Sequence, residues 1–193
     1  KVELIGKEKI ADNLCVFRFK YKDKKISHLP GQFFMVGCTE NTIERRSYSV
    51  ATAYNDEDFE LCMKILESGV VSGRLVNLKE GSEVYIDGPY GKFYLKEGDG
   101  DIVFIAGGTG VTPFRSMIKY IIDKKLDKQI TLIYSCRTEK DILFDKEFTK
   151  LSQENKNFKF IPTTTRDKNY KGCKGRINEQ FLKENIKNIK EGM

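Results

Sequence analysis

The chain has 193 residues, 39% hydrophobic and 11% aromatic, enough for two domains of ~100 residues or one larger one. Its 34 lysines and arginines exceed 28 acidic residues for a net charge of +6. The cations are spread among glutamates with no dense basic run carrying interleaved aromatics, which argues against nucleic acid, and no apolar run approaches the ~20 residues of a membrane span.

Residues 14–20, 32–37, 45–51, 59–66 and 83–87 are rich in aromatic and β-branched residues. Phe59, Leu61, Met63 and Ile65 alternate with Glu60, Cys62 and Lys64, the period-2 pattern of a half-buried strand. Turn-forming pairs separate these segments at Asp23-Lys24, Pro30-Gly31, Asn55-Asp56 and Gly81-Ser82. With one short helical stretch near residues 72–78, they predict a small antiparallel β-barrel. The polar Lys96–Gly100 segment is the expected boundary. Beyond it strands and helices alternate. Ile102–Ala106 reads as a buried parallel strand, and Phe114, Met117, Ile118, Ile121 and Ile122 fall on one helical face. Ile130–Ser135 is a second strand, Phe144, Phe148 and Leu151 mark a helix, Phe158–Ile161 a third strand, and Phe181, Leu182 and Ile186 a last helix. That order predicts a parallel sheet with right-handed crossovers.

The five cysteines, Cys15, Cys38, Cys62, Cys136 and Cys173, lie far apart with no C-x-x-C pair. A metal site or iron–sulfur cluster wants clustered thiolates, so free thiols in a reducing, cytoplasmic setting are expected, and no metal.

Three short motifs stand in order. Gly107-Gly108-Thr109-Gly110-Val111-Thr112-Pro113 follows a buried strand and opens an amphipathic helix, the context a dinucleotide loop requires. Glycines let backbone approach a pyrophosphate, and a helix N-terminus offers unpaired N–H groups and a favourable dipole. Thr112 is expected as the N-cap and Pro113 in the first turn, where its missing N–H costs nothing. The spacing is not G-x-G-x-x-G, and a tight strand-to-helix turn without a ligand fits this motif equally well.

Arg46-Ser47-Tyr48-Ser49 is expected in a strand, with Arg46 and Tyr48 on one face and Ser47 and Ser49 on the other. A guanidinium grips phosphate, a phenol stacks on a planar ring and a hydroxyl hydrogen-bonds it, although an ordinary surface strand carries the same residues. Gly69-Val70-Val71-Ser72 precedes Leu75, Val76 and Leu78. Ser72 is expected to cap a short helix there, either as a second anion site or as a cap alone.

The trio, its order and its spacing resemble the ferredoxin–NADP reductase family. So do His28-Leu29-Pro30-Gly31-Gln32-Phe33, Leu78-Lys79-Glu80-Gly81-Ser82-Glu83-Val84 and Asp87-Gly88-Pro89-Tyr90-Gly91-Lys92. The resemblance runs through essentially the whole chain. It implies an antiparallel FAD-binding β-barrel over residues 1–97 and an α/β parallel-sheet NAD(P)-binding domain over 98–193. It also implies that Arg46 holds the FAD pyrophosphate, that Tyr48 packs on the isoalloxazine, and that Ser49 lies near flavin N5 and assists hydride transfer. Tyr48 and Ser49 are then the catalytic residues. Gly69, Val70, Val71 and Ser72 complete the pyrophosphate site, and Met63, Lys64 and Ile65 line the flavin with backbone groups. In the Gly107–Pro113 loop, Gly108, Thr109 and Gly110 face the nicotinamide nucleotide. Arg137, Arg166 and Arg176 follow successive strands, where NADPH-specific relatives carry a 2′-phosphate clamp. They favour NADPH over NADH, solvent-exposed loop arginines being the alternative.

The implied enzyme is an NAD(P)H-dependent flavin oxidoreductase passing electrons to or from a one-electron acceptor, an acidic ferredoxin or flavodoxin suiting the positive charge. A reductase component of an oxygenase, hydrogenase or dihydroorotate dehydrogenase system is a second reading. A non-catalytic nucleotide-binding regulatory module is a third. The family's C-G-x-P strand and the elements after it have no counterpart before Met193, and the chain opens at Lys1, so a fragment or processed domain is expected. Ile102–Ala106 is then expected at a sheet edge, with FAD binding intact and NAD(P) binding and hydride transfer impaired. His28, the only histidine, is expected at the surface or the flavin edge.

Overall fold

The computed structural model describes residues 1–39, 43–53, 57–96, 98 and 100–186. The Asn55-Asp56 turn and part of the Lys96–Gly100 segment lie outside them. The chain divides into two compact units, residues 1–98 with 109–126, and residues 99–108 with those from 127 onward.

The first unit is built on an antiparallel sheet of β1 (Val2–Ala11), β2 (Leu14–Tyr21), β3 (Phe33–Gly37), β4 (Arg46–Ser49), β5 (Asp58–Lys64) and β6 (Glu83–Tyr90), in the order β4-β3-β6-β1-β2-β5. Just past β4, Val50 bridges Leu61 and the Ala51 N–H donates to the Glu60 carbonyl at 2.9 Å, which joins the two ends of the sheet into a barrel. β1 escapes a period-2 reading because Lys7–Lys9 is charged and exposed, and only its start, Val2 and Leu4, reaches the core. Those two pack with Phe17, Phe19, Phe34, Phe59 and Leu61, and the short helix α1 (Ser72–Leu75) adds Leu75.

β5 is buried on both faces. Phe59, Leu61 and Met63 fill the core, while Glu60 and Cys62 on the other face meet α2 (Thr112–Asp123), a helix of this same unit. Met117, Ile118 and Ile121 of α2 are buried as expected, and so are Arg115 and Ser116.

Both expected caps are corrected. Val111, not Thr112, precedes α2, and its backbone is already helical because a turn of 3₁₀ helix over Gly108–Val111 runs straight into α2. With no extended residue at the boundary, Thr112 is the first helical residue, and its Oγ1 donates back to the Thr109 carbonyl at 2.7 Å. Pro113 does lie in the first turn. Ser72 is likewise the first residue of α1, after Val71 in helical conformation, and its Oγ accepts the Leu66 N–H at 3.3 Å instead of capping.

The second unit holds a parallel sheet of β7 (Ile102–Gly107), β8 (Ile130–Cys136), β9 (Phe158–Thr164) and β10 (Cys173–Lys174), in the order β10-β9-β8-β7. Helix α3 (Asp145–Glu154) packs through Phe148 on Phe158 and Phe160 of β9, ring centroids 6.3 and 5.3 Å away. Asn178 caps α4 (Glu179–Asn185) by accepting the Phe181 N–H at 2.8 Å. Ile186 stands just past the end of α4, not on it as expected. Among the described residues β7 is an edge strand, with Val103 40% and Ile105 46% exposed.

Candidate functional site

In the barrel unit, β4, the end of β5 and the turn leading into α1 surround a cleft of about 490 Å³. Arg46 and Tyr48 line it from β4, Met63 and Lys64 from β5, and Gly69, Val70, Val71 and Ser72 from the turn. Thr109 lines it as well, from the residues just before α2. Parts of all three motifs, scattered over 64 positions of sequence, thus reach one concavity because the barrel closes β4 against β5. Ser49 and Ile65 adjoin the cleft without lining it: Ser49 pairs with Phe33 in the sheet, and the Ile65 N–H donates to the Asn13 carbonyl at 2.7 Å.

The turn is tight. The Gly69 N–H donates to the Leu66 carbonyl at 2.8 Å, and its own carbonyl accepts the Gly73 N–H at 2.9 Å. A Cβ on Gly69 would stand 2.5 Å from Ser72 Oγ and 2.9 Å from the Leu66 carbonyl oxygen, so only glycine fits. Val70 and Val71 donate to no other backbone group among the described residues, which leaves their amides for an anion. Arg46 is exposed on the cleft wall, its Nη1 donating to the Arg45 carbonyl at 2.8 Å. Tyr48 is half-buried, and burial raises its phenol above the ordinary value of 10.0. A cation, two amides and an aromatic face on one apolar-backed cleft suit a ligand that joins a phosphate to a planar ring.

Sequence reading missed what lies behind this wall. Glu60 and Arg115, each 8% exposed, form an ion pair at 2.7 Å. Burial pushes the Glu60 carboxyl up, but the Arg115 charge and hydrogen bonds from Arg18 and Arg115 outweigh it and hold the carboxyl below its ordinary value. Burial drives the Cys62 thiol, also on the cleft, up to about 12 against the opposing pull of Arg115 and a hydrogen bond with Thr112. Of the two positions expected for His28, surface or flavin edge, the surface is ruled out: the residue is 7% exposed, with its ring edge-on to Phe34 at 6.3 Å. Gln32 Oε1 accepts the Leu29 N–H at 2.8 Å and folds that loop back on itself.

In the second unit, Gly107 ends β7, and the Gly108 carbonyl, at a left-handed φ of 52°, accepts the Tyr134 hydroxyl at 2.8 Å. Gly110, which belongs to the first unit, is exposed in the 3₁₀ turn. Arg137 follows β8, Arg166 follows β9 and Arg176 follows β10, all exposed. The Arg166 N–H donates to the Arg137 carbonyl at 2.8 Å, and the Gly175 N–H to the Thr164 carbonyl at 2.8 Å, so the three arginines share the carboxyl end of one sheet.

Comparison with known proteins bears on both units. Residues 1–94 match the oxidoreductase FAD-binding domain family, and residues 104–193 match the oxidoreductase NAD-binding domain family. A subunit of the Na(+)-translocating NADH-quinone reductase of Shewanella putrefaciens is 31% identical over 81% of this chain and 56% of its own length. The gamma subunit of sulfhydrogenase 1 of Pyrococcus furiosus is 33% identical over 95% of this chain and 65% of its own. The chain therefore spans between half and two thirds of these relatives. Among solved structures, the cytochrome b5 reductase domain of Ulva prolifera nitrate reductase superposes with a TM-score of 0.81 at 27% identity, covering 95% of this chain and 80% of that one. No described helix is long and apolar enough to cross a membrane.

Proposed function

Because the chain belongs to the ferredoxin–NADP reductase family and carries its FAD-binding and NAD-binding domains, we propose that it passes electrons between NAD(P)H and a one-electron acceptor, with FAD seated in the barrel cleft. The observation that carries this is the convergence of Arg46, Tyr48, the Gly69–Ser72 turn and the end of β5 on one cleft. FAD supplies the exchange between a two-electron hydride donor and single electrons. The chain's own part is to bind, orient and exclude water. Arg46 neutralises the pyrophosphate, and the Val70 and Val71 amides with the Ser72 turn grip it. Tyr48 would pack on the flavin ring, Met63 and Lys64 would line it with backbone groups from the cleft wall and Ile65 from beside that wall, and Ser49, which adjoins the cleft, would lie near the reacting edge and assist hydride transfer. The Gly107–Pro113 turn receives the nicotinamide nucleotide. Arg137, Arg166 and Arg176 hold a 2′-phosphate, which makes NADPH the preferred donor over NADH.

The acceptor is an acidic carrier protein of the ferredoxin or flavodoxin kind, which a chain of net charge +6 attracts. Service as a reductase component within a larger assembly is the second reading, favoured by the two relatives, each named as a subunit. The five cysteines are free thiols, which supports a reducing, cytoplasmic location.

The test is the visible absorption spectrum of the FAD-supplemented chain before and after NADPH is added without oxygen. A retained flavin band that bleaches is the expected result for a working reductase. A band that stays supports FAD binding without hydride transfer, and a chain that never retains flavin overturns the proposal.

A further inference from the structure

Two neighbouring side chains of α2 reach into the barrel wall. Arg115 Nη1 donates to Glu60 Oε2 at 2.7 Å and to the Ala51 carbonyl at 3.2 Å, and the wholly buried Ser116 donates to the Thr52 carbonyl at 2.7 Å. Glu60 is held from its other side by Arg18 Nη2 at 2.9 Å. Each of these contacts leads to a wall of the cleft. Ala51 and Thr52 continue the chain just past β4, and Glu60 lies on β5 two positions before Cys62. Arg115 stands three positions after Thr112, whose hydroxyl holds the carbonyl of Thr109 on the cleft lip. The residues just past β4 and Glu60 of β5 are thereby fastened to α2 by Arg115 and Ser116, while Thr112 of the same helix holds Thr109.

Apolar packing would anchor a helix at lower cost. Two buried charges forfeit hydration that their attraction regains only with good geometry, and apolar residues put in place of such a pair often leave stability unchanged or improved. What a hydrogen-bonded ion pair adds is a fixed direction and length.

We propose that the Arg115–Glu60 pair is a positioning device that sets where Thr109 stands against the flavin cleft. Arg115 does not line the cleft and acts through α2. The proposal rests on the FAD reading above and adds a residue pair that determines how well the cleft is preorganised.

The test is amide hydrogen exchange on the chain without added cofactor, with an FAD titration alongside, for the native chain, Arg115→Lys and the double variant Glu60→Gln/Arg115→Met. The double variant removes both charges and is expected to melt near the native temperature. Its Thr109, Gly110 and Val111 amides should nonetheless exchange at least about tenfold faster, and its Kd for FAD should weaken about tenfold. Arg115→Lys keeps the charge without the fork and should fall between. A folded double variant with native exchange and native Kd overturns the proposal. Collapse of both variants also overturns it, since the pair would then be a support of the whole fold and not a positioning device. A native chain that takes up no FAD sinks the FAD reading, while the exchange rates still decide the positioning role.

Discussion

Replacing Gly69 by alanine places a methyl group against Ser72 Oγ and the Leu66 carbonyl with no room to retreat. The expected cost is about 1–3 kcal/mol of stability, read by thermal denaturation, together with weaker FAD binding in a titration. Glu60 offers a second handle. Its carboxyl is held below the ordinary value of 4.5 when folded, so its stabilisation is fully present above that value and drains away as pH falls through the lower folded one. Melting temperature should therefore fall more steeply below pH 4.5 in the native chain than in Glu60→Gln, whose amide does not titrate. Equal slopes would remove Glu60 from the acid response. Cys62, with its thiol pushed up to about 12, should resist alkylation in the folded chain at about pH 8 and react once the chain is denatured, as mass spectrometry of the labelled peptide will show.

At the scale of elements, α2 is tied down by polar contacts that its amphipathic pattern does not announce. Ser116→Ala deletes the buried bond to the Thr52 carbonyl and should cost about 1–2 kcal/mol in urea denaturation. β7 makes the opposite prediction. Ile105 is 46% exposed on an edge strand, so Ile105→Lys should leave the melting temperature nearly unchanged while lowering self-association in light scattering.

These two elements also show how far the sequence could be read. The period-2 run of β5 and the helical spacing of Met117, Ile118 and Ile121 disclosed both elements. They did not disclose that Glu60 faces Arg115 across 55 positions, because alternation marks a polar residue as outward without saying what covers that side. β10 has two residues and β1 is half exposed, so neither carried a period to detect. The caps at Ser72 and Thr112 failed for a different reason: the right residue type stood there, but the preceding backbone was already helical. The glycine, arginine and tyrosine of the cleft were legible because each needs a particular residue type at a particular spacing, whereas Tyr134 beneath Gly108 looked like any core aromatic of a strand.

For the whole molecule, charge is the property that reaches beyond the surface. With 34 basic against 28 acidic residues, encounter with an acidic electron carrier should be steered electrostatically. Stopped-flow association rates should fall at least about tenfold as salt rises from about 50 to about 500 mM. A salt-independent rate would point to an uncharged docking face.

The placement of α2 also bears on how members of such a family can exchange parts. A crossover near residue 98 looks neutral along the sequence, yet it transplants Arg115 and Ser116 into a foreign barrel while leaving Glu60 and the Thr52 carbonyl behind. A hybrid made at that point keeps a helix face built for one particular host, and that face finds its partners only if the new barrel supplies them. Recombination between relatives is thus constrained at a position remote from the cut, and compatible parents are those that share the acid on β5 and the base on α2.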